Sequence, residues 1–445
     1  MLIIGAHAIT GKPLTVRTDA ALITEVDDHL TPRPGEEVID IAGGTVIPAL
    51  HDHHLHLRAA IAAATSLQVG PPKVNDRDAL ARVLRAATPG ADGWIRAVGY
   101  HDSVAGHLDR YQLDALLPSV PLRVQHRSGA LWIINSAGLA ALKRPDHPTG
   151  RLFRQDTDVA AALVSTPVDF GLISAQLTSY GVAGVTEATP DLTAAELDAF
   201  DQARRSGRLR QRVLVLSADS GHDTLQFGPR KRILDDDTLD LDALIHWITD
   251  VHAGRTPVAM HCVTVAQLVV AVAALRTAGP TKGDRIEHAA MVPDDMISEL
   301  VDLGVTVVTQ PNFIAERAEQ YLQDIPAADL PQLWRLASLQ GAGVAVAGST
   351  DAPFGDLDPW ACMRAARDRA TISGTTLGPT ERVPARTALE LFLGEPHSPA
   401  TLRTLSPGAR ADITMLSASP DVVLAELTAE LVCATMIGGI VYQRS

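Results

Sequence analysis

Histidines at alternating positions are the clearest candidates for chemistry in this chain. His54 and His56 lie in the stretch Pro48-Ala-Leu-His-Asp-His-His-Leu-His56, which continues an apolar run. Side chains two residues apart in a strand share a face, so these two imidazoles can point the same way. Two neutral nitrogen donors at the end of a strand suit a divalent metal such as zinc. The spacing therefore predicts part of a metal site, which needs further ligands.

Three more candidate ligands follow other apolar runs. His261, His288 and Asp351 each stand at the carboxyl end of a predicted strand. Because the carboxyl ends of parallel strands meet at one edge of a sheet, these side chains would converge with the first pair. A core histidine or a helix-capping aspartate explains any one of them alone, but not the whole set at matching positions. We therefore expect a metal-dependent catalytic site.

A strand–helix alternation would position these residues. Short apolar runs alternate with segments of helical pattern, two of which open with capping boxes at Thr193 and Thr264. Eight such units predict an α/β fold, a closed (β/α)8 barrel of the TIM type. The predicted strands are the His54 strand, 181–186, 213–216, 231–234, 257–261, 285–288, 305–310 and 344–351. The helix after the seventh strand is predicted at 333–339.

The two termini and one long segment depart from this alternation. Residues 1–47 and 405–445 alternate short apolar runs with turn residues, and neither piece can bury a face alone. We predict that they combine into one small β-sandwich domain beside a barrel at 48–404. Residues 60–165 mix strand-like and helix-like pieces after the first barrel strand. An insertion there would lie at the carboxyl face of the barrel, so we expect it to cover the active site.

The composition restricts the class of protein. The 445 residues are 46% hydrophobic, which is enough for a large core, and the formal net charge of −14 argues against nucleic-acid and anionic-membrane partners. Three cysteines without a CxxC motif favour a reducing compartment. The first residues lack the features of a signal peptide. We expect a cytoplasmic protein with a small-molecule substrate and no nucleic-acid or membrane partner. A homodimer is compatible with these features.

Several motifs along almost the whole chain recur together in one known family. They are Pro48–His56, Met260-His-Cys262, Asp284-Arg-Ile-Glu-His288, Thr309-Gln-Pro311, Ser349-Thr-Asp-Ala-Pro353, His126-Arg-Ser-Gly129 with Asn135-Ser136, and Pro407-Gly-Ala-Arg-Ala-Asp412. This combination resembles the amidohydrolase superfamily, and most closely its YtcJ-like branch, amidohydrolase family 3. The resemblance implies a metal-dependent hydrolase that acts on carbon–nitrogen bonds other than peptide bonds.

The resemblance also implies a ligand set. The residues concerned are His54, His56 and Asp351 for one divalent metal, and His261 and His288 for a second. In many members of the superfamily a carboxylated lysine on the fourth strand bridges the two metals, and Lys231 matches that position. We therefore expect one or two divalent metals per chain, zinc foremost, and a CO2-derived carbamate on Lys231.

The chain departs from the family pattern around these ligands. His51 and His53 are extra histidines on the opposite strand face, which predicts a structural role for both. Arg230 and Arg232 flank Lys231 and would point towards the helix layer. This strand register places Lys231 inside, between two arginines that face outward. If the register is wrong, Lys231 is instead a surface lysine in a basic loop.

The expected chemistry follows from such a site. A divalent metal lowers the pKa of bound water to about 7 and polarises the scissile carbonyl. Asp351 would take a proton from that water and pass it to the leaving amine. If one metal binds, His288 or His261 would polarise the carbonyl. Candidate substrate contacts in the insertion are Tyr100, His101, His126, Arg127, Trp132 and Asn135, and Glu187 is a further candidate at the end of the second strand.

These features predict hydrolysis of a small-molecule amide by metal-activated water. One alternative is a heterocycle deaminase with a single metal, in which Lys231 has no bridging role. Its ligands would be His54, His56, His261 and Asp351. Release of ammonia would distinguish that reaction. Another alternative is a catalytically inactive, metal-binding regulatory protein, which turnover of any amide would exclude.

Overall fold

The chain folds into two compact units, one of which is built from two separate segments of the sequence. One unit comprises Met1–Leu57 with Phe170–Ser445, and the other comprises Arg58–Asp169. The structure, a computed structural model, describes residues 1–153, 168–217, 221–371 and 373–444. The second unit overlaps in sequence the predicted insertion 60–165, of which residues 154–165 lie outside the described residues.

The strands alternate with helices through most of the larger unit. In the described residues the strands are β1 (Leu2–Ala8), β2 (Pro13–Asp19), β3 (Leu22–Asp27), β4 (Val38–Asp40), β5 (Thr45–Pro48), β6 (Leu50–Leu55), β7 (Leu67–Gln68), β8 (Ile95–Tyr100), β9 (Leu122–His126), β10 (Leu131–Ile134), β11 (Arg151–Phe153), β12 (Val182–Glu187), β13 (Arg212–Val215), β14 (Leu225–Phe227), β15 (Arg230–Ile233), β16 (Val258–Cys262), β17 (Arg285–His288), β18 (Thr306–Thr309), β19 (Ala345–Gly348), β20 (Gly394–Glu395), β21 (Ser398–Leu402), β22 (Ile413–Leu416), β23 (Val432–Ile437) and β24 (Ile440–Gln443).

The helices are mostly short. In the described residues the α-helices are α1 (Leu57–Ala64), α2 (Arg77–Ala86), α3 (Asp102–Ala105), α4 (Arg110–Leu116), α5 (Ser136–Ala141), α6 (Phe170–Ser179), α7 (Ala194–Arg205), α8 (Leu241–Ala253), α9 (Val265–Ala278), α10 (Asp294–Leu303), α11 (Asn312–Asp324), α12 (Leu336–Gly341), α13 (Pro359–Asp368), α14 (Ala385–Glu390) and α15 (Pro420–Glu426). Single 3-10 turns occur at Asp236–Thr238, Leu330–Gln332, Pro379–Glu381 and Ala429–Leu431. Across the described ranges, no helix is long and apolar enough to cross a bilayer.

Parallel strands form the centre of the larger unit. One sheet has the order β14-β13-β12-β6 and another the order β15-β16-β17-β18-β19, with every neighbouring pair parallel. The eight strands predicted for this region are all present, and β14 is additional. Every residue of β6, β12 and β17 is buried, as is typical of parallel strands covered on both faces. The protein therefore has an α/β fold.

Backbone hydrogen bonds join the two parallel sheets. The Asp351 N–H donates to the His54 carbonyl at 2.9 Å, and the His56 N–H donates to the Ala352 carbonyl at 2.8 Å. The Lys231 N–H donates to the Leu216 carbonyl at 3.4 Å. The strand ladders themselves stop at β14 and β19, so closure into a barrel stays a prediction.

Local sequence signals explain most helix starts. Capping boxes at Thr193 and Thr264 begin α7 and α9, as predicted, because their hydroxyls satisfy N–H groups that lack an intrahelical partner. The helix predicted at 333–339 is only partly right. The structure has α11 directly after β18, built largely from strong helix formers, and a shorter α12 further on.

The two termini share one sheet, with the order β24-β23-β22-β5-β1-β2-β3 and with β4 paired to β1. Antiparallel pairing of β5 with β22 joins the two ends of the chain. A common core cluster behind this sheet contains Val16 and Val46 from one terminus, and Ile413 and Met436 from the other. Because the ladder is a single sheet, the second layer of a sandwich stays a prediction.

Candidate metal centre

The histidine pair at the end of β6 meets a carboxylate that follows β19. The Nε2 atoms of His54 and His56 lie 3.6 and 3.4 Å from Asp351 Oδ1. These three residues form a group in which one ligand atom from each lies within 4.8 Å of the others. Asp351 Oδ1 is buried and has no hydrogen-bond partner among the described residues. Such an oxygen is costly to bury, so a cation held by two imidazoles and this carboxylate fits the site.

The hydrogen bonds of His54 leave one ring nitrogen suited to a metal. Its Nδ1 bonds to the carboxylate of Glu287. Because an ionised carboxylate only accepts, the ring proton lies on Nδ1 and Nε2 keeps its lone pair. Burial lowers the pKa of His54 well below its ordinary value, so the ring is neutral at neutral pH. Neutral imidazole is the form that binds metals.

His288 and His56 are held in a similar way. His288 Nδ1 lies 2.8 Å from Gln310 Oε1, while the Gln310 amide nitrogen donates to Ser349 Oγ at 2.7 Å. The Gln310 oxygen therefore accepts the Nδ1 proton, and His288 Nε2 keeps a lone pair. His56 Nδ1 lies 2.9 Å from Thr189 Oγ1, which can accept its proton in turn. In each ring one nitrogen is thus held by a hydrogen-bond partner, and the other can offer its lone pair to a metal.

Lys231 lies on the interior side of its strand. It is 6% exposed, and its Nζ donates to His54 Nε2 at 3.1 Å. Burial lowers its pKa to about 8. The Arg232 guanidinium lies 5.3 Å from the ring centroid of Trp247 on α8, and Arg230 is exposed. The predicted register is therefore confirmed, and the surface-lysine alternative is wrong.

The structure brings all the predicted ligands together. The ring centroid of His288 lies 4.5 Å from that of His261 and 4.8 Å from that of His54, and His288 Nδ1 lies 3.9 Å from Asp351 Oδ2. The cluster consists of His54, His56, Lys231, His261, His288 and Asp351. Their roles as metal ligands stay a prediction.

The backbone is strained at two of these residues. Asp351 has a φ of 53° and His288 a φ of 71°, in the left-handed region that residues other than glycine seldom adopt. Strain of this kind costs about 1–3 kcal/mol per residue and clusters at functional sites. Asp52 fixes the turn before Asp351, since its Oδ1 accepts the Thr350 N–H at 3.2 Å.

The predicted substrate contacts in the inserted unit have structural partners there. Tyr100 is fully buried and donates its hydroxyl to the Gly106 carbonyl. Trp132 is 5% exposed and packs in a cluster with Trp94. Asn135 caps α5 by accepting the Gly138 N–H.

Two histidines of the same group are fixed by serines two residues further on. The Nδ1 atoms of His101 and His126 accept the N–H groups of Ser103 and Ser128, each at 3.2 Å. Burial lowers the pKa of His126 to about 4, so this ring is neutral at neutral pH. Arg127 donates its backbone N–H to the Tyr100 carbonyl. Contact of these six residues with a substrate stays a prediction.

The candidate site contains residues that the sequence interpretation missed. Glu287 bonds to His54, Gln310 to His288 and Thr189 to His56. Charged residues at alternate positions of a fully buried strand, as in Arg285-Ile-Glu287, were a usable signal. Gln310 belongs to the Thr309-Gln-Pro311 motif, but that motif gave it no role. Thr189 follows the end of β12, and nothing in the sequence distinguishes it from an ordinary loop residue. Glu187 ends β12, and its carboxylate accepts the backbone N–H groups of residues 57 and 189.

Comparison with known proteins gives a consistent result. A model described as the amidohydrolase family matches residues 37–442. The chain is 24% identical to the N-substituted formamide deformylase of Arthrobacter pascens, over 99% of this chain and 94% of that protein. It is 22% identical to YtcJ of Bacillus subtilis strain 168, which bears the name of an amidohydrolase, over 93% and 92% of the two chains. An uncharacterised metal-dependent hydrolase from Pyrococcus horikoshii OT3 shares the fold, with a TM-score of 0.74 at 20% identity over 95% and 98% of the two chains.

Proposed function

This chain belongs to the amidohydrolase family, and we propose that it is a metal-dependent hydrolase that cleaves the C–N bond of a small-molecule amide. The observation that carries the proposal is the convergence of His54 and His56 on the buried, unpartnered Oδ1 of Asp351. A divalent metal, when bound, supplies Lewis acidity that polarises a carbonyl and acidifies water. Imidazole and carboxylate donors favour zinc.

The chain's own residues would handle the protons. With Asp351 Oδ1 facing the two imidazoles as a metal donor, the second carboxylate oxygen, Oδ2, would accept a proton from water and return it to the leaving nitrogen. Although burial alone would raise the pKa of Asp351, the facing His56 and His288 rings and Lys231 lower it. The ionised form that a base requires is therefore favoured. His288 offers a lone pair at Nε2, which suits a ligand better than a donor to the substrate carbonyl.

We also propose two metals bridged by a carbamate on Lys231. His54, His56 and Asp351 would hold one ion, and His261 and His288 would hold the other. A bare ammonium close to His54 Nε2 would repel a divalent cation, whereas a carbamate would attract it. The carbamate forms when the neutral amine attacks CO2, making an N–C bond and releasing a proton. The pKa of Lys231, about 8, leaves part of the amine neutral near physiological pH.

The carbamate has its own test. Native mass spectrometry of the zinc-loaded protein should show one additional CO2 per chain, and 13C-bicarbonate should label Lys231. Lys231→Ala should lose metal and activity, and short carboxylates should restore part of both. A density map with unmodified Lys231 turned away from occupied metal sites would contradict the proposal.

The barrel is part of the same proposal. Closure of the two parallel sheets around the site is supported by the backbone bonds that Asp351 makes to His54 and that Lys231 makes to Leu216. We further propose that the inserted unit carries substrate contacts, including Trp132.

The substrate is best sought among N-formyl and N-acyl amines. The deformylase relative, whose name specifies an N-substituted formamide, supports this class. The purified protein should be loaded with zinc, manganese or cobalt and assayed against N-formyl amines, N-acyl amino acids, cyclic ureides and aminated heterocycles. Release of an amine from an amide is the expected result. Ammonia from aminated heterocycles alone would establish the deaminase alternative, and metal binding without any turnover would favour the regulatory one.

A further inference from the structure

A buried ion pair in β17 stands beside the predicted ligands without being one of them. Arg285 is 1% exposed and Glu287 is fully buried. The two side chains form a forked contact, with Arg285 Nε 2.6 Å from Glu287 Oε1 and Nη2 3.0 Å from Oε2. Positions two apart in a strand share a face, so both side chains project from the same face of β17.

This ion pair makes two contacts with the strand that carries the histidines. Glu287 Oε2 bonds to His54 Nδ1, and Arg285 Nη2 donates to the His53 carbonyl at 2.9 Å. Since β6 and β17 belong to different sheets, both contacts connect strands that share no backbone ladder. One contact acts on the ring of a predicted ligand, and the other holds the main chain immediately before it.

The two contacts have different consequences for His54. A carboxylate at Nδ1 fixes the proton there, so the lone pair of Nε2 faces the predicted metal site and the ring cannot rotate freely. Arginine makes this arrangement tolerable, because a buried carboxylate without a cationic partner is strongly destabilising. The two N–H groups of the guanidinium match the two carboxylate oxygens, whereas a lysine ammonium is a point charge that does not fix the plane of the carboxylate.

We propose that Arg285 and Glu287 are positioning residues of the metal centre. Glu287 sets the tautomer and orientation of His54, while Arg285 holds both Glu287 and the His53 carbonyl in place. The inference rests on the proposed function, in that it requires His54 to be a metal ligand. It concerns the affinity for the metal, which is measurable without any substrate.

The test compares Glu287→Gln with a matched control. Metal-free protein is titrated with zinc against a chromophoric chelator, and cobalt is added separately so that its visible absorption reports the ligand geometry. Glu287→Gln should remain folded and lower zinc affinity about 10–100-fold, the usual effect of losing a hydrogen-bond partner of a ligand. The cobalt bands should shift, because the His54 ring is no longer held at Nδ1.

The control is Asp284→Asn on the approach to the same strand. Asp284 is 1% exposed and its Oδ1 lies 3.0 Å from His252 Nε2, so it too is a buried carboxylate paired with a histidine. It bonds to none of the predicted ligands. This variant should lose stability to thermal unfolding but bind zinc with the affinity of the parent.

A second variant covers the case in which Glu287→Gln does not fold. Arg285→Lys keeps the charge but loses the fork, so it should lower zinc affinity and shift the cobalt bands in the same direction, by less. If every folded variant kept the zinc affinity and the cobalt spectrum of the parent, the inference would be overturned, and the ion pair would have only a structural role. If the parent protein itself binds no zinc, the proposed function fails instead.

Discussion

The strand β6 and the residue after it carry two pairs of alternating histidines that have different partners. His54 and His56 face the carboxylate of Asp351. The ring centroids of His51 and His53 lie 4.6 Å apart, and both residues are buried. Burial lowers the pKa of both of these rings, and the charges of nearby arginines lower it further. Neither ring nitrogen of His53 has a hydrogen-bond partner within the part of the chain that the structure describes.

The difference leads us to expect that His-x-His spacing alone does not make a metal site. The imidazole rings of both pairs can offer a nitrogen lone pair to a cation. The carboxylates of Asp351 and Glu287 offset the positive charges of Lys231 and Arg285 near His54. At the other pair the arginine charges would repel a divalent ion. We therefore expect the partners that other strands bring to each pair to decide its role, and the following substitutions test that expectation.

The largest effect is expected from Asp351→Asn. Asparagine keeps the shape of the side chain but removes the charge and cannot accept a proton, so turnover should fall by about 10²–10⁴-fold. The fold and part of the metal content should remain. Turnover of the best amide, circular dichroism and elemental analysis check this. The control is Asp302→Asn, an exposed carboxylate that should have no effect. Activity within about tenfold of the parent would place the base elsewhere.

The comparison is tested directly by substituting one member of each pair. His56→Gln removes a ligand, so zinc affinity should fall by more than the roughly 10–100-fold that follows loss of a ligand's hydrogen-bond partner. His53→Gln should leave zinc affinity unchanged, whatever it does to stability. Chelator competition on the metal-free proteins measures both. Equal losses from the two variants would mean that both pairs bind metal.

Substitutions that crowd His51, in the other pair, should lower the free energy of unfolding. A Cβ added to Gly184 would lie 2.4 Å from His51 Nδ1, so Gly184→Ala should cost about 1–3 kcal/mol through overpacking. Gly341→Ala is the control, since a Cβ there meets nothing within 4 Å. Chemical denaturation compares the free energies of unfolding. An unchanged value for Gly184→Ala would show that the His51 ring can move aside.

The smallest effects should separate the two hydroxyls that hold the pairs. His51 Nε2 lies 2.9 Å from Thr186 Oγ1, and His56 Nδ1 lies 2.9 Å from Thr189 Oγ1. Thr186→Val should cost about 1 kcal/mol of stability and leave zinc affinity alone. Thr189→Val should lower zinc affinity about tenfold with little change in stability. The reverse pattern would contradict the assignment of roles.

The sequence by itself determined the family, the α/β alternation and the types of the candidate ligands. These features are local, since each depends on residue type, on a spacing of two along a strand or on capping residues such as Thr193 and Thr264. The membership of the amidohydrolase family predicted from the motifs is confirmed. The resemblance placed Lys231 inside, alternation along the strand then placed Arg230 and Arg232 on the other face, and this register is confirmed as well.

The resemblance predicted that Asp351 joins His54 and His56, but only the tertiary structure shows how these side chains meet. Asp351 lies almost 300 residues after His54 in the chain, and the Arg285–Glu287 pair comes from a third strand. The sequence orders these residues along the chain but does not give the distances between atoms of different strands. Packing of the two parallel sheets sets those distances, and so it separates the candidate metal ligands from two buried histidines with the same spacing.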